Sequence, residues 1–102
     1  MLFRSDPRVE HARRTFAATD AEGYARTCDM LATVDLRERV ASLKVPVVVV
    51  CGDDDAPAFR DAATELARST GDGTVYWLPG RHACAIELPT KFAGLLAATA
   101  PD

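Results

Sequence analysis

Seven apolar residues in a row, Val45-Pro46-Val47-Val48-Val49-Val50-Cys51, constrain this chain more than any other feature. The run has no polar alternation and is dominated by β-branched side chains, which predicts a parallel strand buried on both faces. Pro46 falls at its first residues, where a missing amide costs least. Such a strand needs a helix after it and a second strand beside it, and the next residues supply both. Gly52 and Asp53-Asp54-Asp55 end the run. Phe59, Ala62, Ala63, Leu66 and Ala67 then repeat as one helical face, opposite Arg60, Asp61, Thr64, Glu65 and Arg68. Gly71-Asp72-Gly73 stops that helix, and Thr74-Val75-Tyr76-Trp77-Leu78 has the composition of a second strand. Strand, helix and strand in this order predict a right-handed βαβ unit with parallel strands, hence an α/β fold.

The residues before the run predict three helical pieces. Asp6-Pro7 is a helix start, because the aspartate can accept from free amides while Pro7 needs no amide partner; Val9, Ala12 and Phe16 follow on one face. Asp20 offers a second cap before Tyr24, Cys28 and Leu31, and Asp35 a third before Leu36, Val40 and Leu43. Beyond the second strand, Pro79-Gly80-Arg81-His82 reads as a loop, and Phe92, Leu95 and Leu96 after Pro89 as a final helix.

Composition narrows the partners. With 102 residues, 48% hydrophobic, 26% charged and a net charge of -3, the chain has a soluble globular profile and no basic excess to bind nucleic acid. The longest apolar run is far shorter than the roughly 20 residues of a membrane span, and the opening Met1-Leu2-Phe3-Arg4 reads as neither signal peptide nor anchor. Cys28, Cys51 and Cys84 are odd in number and widely spaced, suggesting neither a disulfide framework nor a zinc site, so a reducing, cytoplasmic compartment is expected.

In an open parallel sheet, functional groups gather beyond the carboxyl ends of the strands. Here Asp53-Asp54-Asp55 follows the first strand and His82 the second, so a carboxylate and an imidazole are expected at one edge. An activated nucleophile needs that pair: the histidine takes its proton, and the carboxylate fixes the tautomer and stabilises the imidazolium. The plainer alternatives are a solvated aspartate turn capping the next helix and a structural loop histidine. His11, beside Arg13 and Arg14, reads as part of a solvated helix face. Magnesium binding by the aspartates is disfavoured because consecutive residues in a strand-like turn point different ways.

The order Val-Pro-Val-Val-Val-Val-Cys-Gly-Asp-Asp-Asp (45 to 55), amphipathic helix, Val-Tyr-Trp-Leu-Pro-Gly-Arg-His (75 to 82), then Glu87-Leu88-Pro89 and Phe92, resembles the last two strands of the α/β-hydrolase family. The resemblance covers about residues 20 to 98. It divides the chain into residues 1–44, similar to the end of that family's helical cap, and residues 45–102, similar to the C-terminal βαβα portion of its core. The cap passage, with Gly23-Tyr24-Ala25-Arg26-Thr27-Cys28 and Asp35-Leu36-Arg37, is most similar to 3-oxoadipate enol-lactonases. The resemblance implies a small-molecule ester or enol-lactone substrate, hydrolysis through an acyl-enzyme, no cofactor, and His82 as general base. It implies Asp55 as the histidine's partner when residues are counted from Gly52, and Asp53 when they are counted back from Pro57.

The family's nucleophile lies on a Gly-x-Ser-x-Gly elbow upstream of the acid, and no such elbow occurs here. The nearest match, Ala67-Arg68-Ser69-Thr70-Gly71, falls between acid and histidine at a helix end. Cys51 ends a strand without an elbow's glycines, Cys84 is two residues from His82, and Cys28 sits on a helical apolar face. The expectation is a partial α/β-hydrolase fold, inactive alone, whose short sheet is completed by an upstream hydrolase half or by self-association. The alternative is a non-enzymatic βαβ module pairing through its sheet edge.

Overall fold

The computed structural model describes residues 6–100; the opening tetrapeptide considered above lies outside them. The chain divides into a helical unit ending at Leu36 and a second unit starting at Arg37.

In the helical unit, α1 spans Pro7–Ala17 and α2 Ala21–Thr33. Both start where an aspartate can satisfy a free amide. Asp6 Oδ1 accepts from the Arg8 amide at 2.8 Å, and Asp20 Oδ2 from the Gly23 amide at 2.8 Å. Phe16 and Tyr24 meet edge-to-face with ring centroids 5.6 Å apart. The apolar stripe of α2, Tyr24, Cys28 and Leu31, is exposed, Leu31 to 62%. Neither helix contains a buried residue, so their termini, rather than a core of their own, account for where they start and stop.

The second unit runs α3 (Arg37–Ala41), β1 (Val47–Gly52), α4 (Pro57–Ser69), β2 (Gly73–Leu78), α5 (Cys84–Glu87) and α6 (Pro89–Thr99). The strands pair in parallel from Val47 opposite Gly73 to Gly52 opposite Leu78, so they end level with each other. Helix α4 packs on both strands and on α3, and α5 packs on α6. Ala63 and Ala67 are buried against the sheet, small enough to bring the helix close. At the end of α4 the buried Thr70 hydroxyl donates to the Ala67 carbonyl at 3.1 Å. A side chain at Gly73 would run into that carbonyl and hydroxyl, which is why the turn into β2 takes glycine.

Two expectations need correction. The valine run is not buried on both faces. Cys51, with its Sγ 4.0 Å from the Phe59 carbonyl oxygen, marks the face α4 covers. Val48 and Tyr76 alternate to the other face and are 40% and 41% exposed, because α4 can shield only one side of this pair of strands. Nor does an aspartate side chain cap α4: its N-cap is Ala56, with no side-chain cap bond, and Pro57 at the first position has no amide to satisfy. Helix α5 is a single turn that periodicity did not predict. No helix among the described residues is long and apolar enough to cross a membrane.

Candidate active site

The level strand ends bring two loops together. The Asp53 amide donates to the Leu78 carbonyl at 2.8 Å and the Asp54 amide to the Gly80 carbonyl at 2.9 Å, extending the pairing past the last strand residues. This approach requires glycine at position 52, since a Cβ there would overlap the carbonyl oxygens of Gly80 and Arg81.

Beyond that crossing, Asp55 Oδ2 lies 2.9 Å from His82 Nδ1. The second carboxylate oxygen, Oδ1, accepts from the Ala56 amide at 2.7 Å. Both oxygens are therefore committed, one to the backbone and one to the imidazole. The Asp55 side chain is 8% exposed and that of His82 69%, so an anchored acid carries an accessible base. The Phe59 ring, on the first turn of α4, lies against the imidazole with centroids 4.3 Å apart. An ionised Asp55 requires the proton on Nδ1, leaving the Nε2 lone pair available as a base.

Burial opposes a charge on Asp55, but the His82 and Ala56 hydrogen bonds, together with the charges of His82 and Arg60, outweigh it and hold its carboxyl below the ordinary carboxylate range. Because the folded value is depressed, the resulting stabilisation is complete above the unfolded value of about 3.9 and disappears as pH falls through the lower folded value. Urea unfolding of the wild type and Asp55→Asn from neutrality to acid is expected to show the two stability curves converging below about pH 4. Parallel curves over that range would exclude the stabilising carboxylate.

The other acidic residues lie elsewhere. Asp54 Oδ2 accepts from Arg81 Nε at 3.3 Å on the surface. Asp53 borders a separate depression with Arg60, Asp61, Thr64 and Trp77. No group of three or more His, Cys, Asp or Glu side chains among the described residues is placed to hold a metal ion.

His82 and Asp55 border an open, mainly apolar cleft of about 240 Å³ whose walls include Val49, Cys51, Phe59, Leu66 and Cys84. Burial, reinforced by the nearby Asp55 and Cys84, pushes the Cys51 thiol up, which disfavours the thiolate a nucleophile requires. Cys84 is buried in the first turn of α5, while Cys28 is exposed on α2. Ser69 borders a different depression with Asp61, Thr64, Glu65 and Arg68, and its hydroxyl donates to the Glu65 carbonyl at 2.7 Å. His11 is exposed on α1. Sequence reasoning missed the Phe59–His82 contact because Phe59 reads as the first residue of the α4 core stripe. It also missed a hydrogen bond from the Arg81 amide to Glu87 Oε2 at 3.0 Å.

Two bacterial lactonases are similar to this chain. 3-Oxoadipate enol-lactonase 1 of Acinetobacter baylyi is 27% identical over 90 residues, covering 88% of this chain and 34% of that protein. 3-Oxoadipate enol-lactonase 2 of the same organism is 30% identical over 84 residues, covering 82% of this chain and 32% of that protein. The chain thus spans about a third of the length of the relatives it matches. Together with the mixed α/β architecture and parallel strands, the similarity supports an α/β-hydrolase-like relationship. No family model matches the chain, and no solved structure matches it.

Proposed function

We propose that the chain is the C-terminal portion of an α/β-hydrolase acting on ester or enol-lactone bonds, supplying the acid and the base while a segment outside these 102 residues supplies the nucleophile and oxyanion hole. The observation that carries this reading is the His82–Asp55 hydrogen bond across the carboxyl ends of two parallel strands. His82 Nε2 would take the proton of a serine-type nucleophile as it attacks the substrate carbonyl. Asp55 would stabilise the imidazolium, which returns the proton to the departing oxygen as the acyl–oxygen bond breaks. Water activated by the same nitrogen would then cleave the acyl-enzyme. The apolar cleft beside His82 fits a small organic substrate, and similarity to two enol-lactonases favours a lactone among the possible esters.

On this reading the purified chain, given a p-nitrophenyl ester or 3-oxoadipate enol-lactone, turns over neither above buffer, and Ser69→Ala and His82→Ala behave the same way. Turnover lost in both variants would overturn the absence of an internal nucleophile. Activity appearing on addition of the part of either Acinetobacter enol-lactonase that this chain does not match would supply the positive half of the test. The two-stranded sheet, in which each strand has a second edge with no strand beside it among the described residues, favours a second reading, a non-enzymatic module that pairs through the sheet edge. A stably folded chain that no complementing segment activates would select it.

A further inference from the structure

We infer that Glu87 is a positioning residue for His82, acting through the backbone of the loop that carries the imidazole. Strand β2 ends at Leu78, so the amides of the following loop have no strand partner. The Gly80 amide turns back to the Leu78 carbonyl at 2.8 Å, and the Gly80 carbonyl accepts from Asp54. The next amide, that of Arg81, donates to Glu87 Oε2 at 3.0 Å. Glu87 reaches it because α5 begins directly after the loop and turns its last residue back toward the loop, with the Glu87 amide on the Ala83 carbonyl at 2.9 Å. The carboxylate folds over the turn so closely that a Cβ on Gly80 would lie 3.5 Å from Oε2.

The bond is charge-assisted and holds a backbone amide, whereas the exposed Arg81–Asp54 ion pair holds only the end of a long side chain. Arg81 immediately precedes His82, so holding the Arg81 amide fixes the direction in which the imidazole leaves the backbone. Asp55 then meets a ring already aimed at it, and Phe59 limits its rotation. Glu87 contributes to hydrolysis only if His82 is the base proposed above. Its hold on the loop is independent of that role, and the experiment reads the hold.

The test is ¹⁵N NMR of the His82 ring in the full chain and in Glu87→Ala, Glu87→Gln, Asp54→Ala and Asp55→Asn. In Glu87→Ala the ring nitrogens are expected to move toward the Asp55→Asn positions, with Arg81 amide exchange faster by about tenfold. Glu87→Gln, which keeps an acceptor, and Asp54→Ala are expected to match the wild type. Wild-type ring shifts in a folded Glu87→Ala would overturn the inference. Where Glu87→Ala does not fold, the wild-type Arg81 amide decides: protection supports the bond, and exchange at the unstructured rate overturns it. None of these readouts requires turnover, so they stand apart from failure of the hydrolytic proposal.

Discussion

Asp55→Asn, assayed with a complementing segment that restores ester turnover, is expected to lower kcat by about 10⁴-fold. The reason lies in how the two carboxylate oxygens are used. Because Oδ1 is held by the Ala56 amide, a carboxamide that keeps this bond must present its NH₂ group to His82 Nδ1. A donor facing Nδ1 drives the ring proton to Nε2 and removes the lone pair that would serve as the base. His82→Ala is expected to fall by a similar factor, and combining the two changes should cost little more, since they disable one unit. Asp53→Asn serves as the control, because that side chain borders a different depression. Equal losses in the Asp53 and Asp55 variants, or an undiminished Asp55 variant, would remove Asp55 from the mechanism.

Gly52→Ala is expected to cost about 3 kcal/mol of folding stability, near the top of the range for a core overpacked by a single group. Its added carbon meets two backbone carbonyl oxygens, those of Gly80 and Arg81, rather than the yielding end of a side chain. The strand ends would have to part, and the loops bearing Asp55 and His82 would part with them. Gly94→Ala is the informative comparison. Among the described residues nothing lies within 4 Å of a Cβ at that position in α6, and exchanging a helical glycine for alanine there should be neutral or stabilise by up to about 1 kcal/mol. Urea midpoints read both effects. A Gly52→Ala midpoint as high as that of Gly94→Ala would contradict the close approach of the two loops.

The parts of the fold legible in the sequence are those set by neighbours along the chain. The valine run, the Phe59-to-Ala67 stripe and the Gly71-Asp72-Gly73 stop correspond to β1, α4 and the turn into β2, because each is a local pattern of period or conformation. Asp6 and Asp20 likewise cap the helices they precede. What depended on distant residues was not legible. Counting could not decide between Asp53 and Asp55 as the neighbour of His82. The answer rests on Gly52 passing under the Gly80–Arg81 backbone, a relation between loops far apart in sequence. Helix α5, one turn long, is too short to show a period, so the backward reach of Glu87 left no mark beyond the residue itself. The valine run overstated its own burial because composition records what a strand requires, whereas exposure depends on which partners are present.

The parallel pairing of β1 and β2 also makes the site a late, non-local product of folding on topological grounds. No short hairpin can register parallel strands, so the level strand ends depend on the long crossover through α4 rather than on a local turn. The imidazole and its carboxylate, 27 residues apart in the chain, come together only once that crossover has closed. Protein emerging from denaturant should therefore acquire helix signal first and the shifted His82 resonance last, which makes this histidine a built-in indicator of whether a refolded sample has reached its native state or stopped at a helical intermediate.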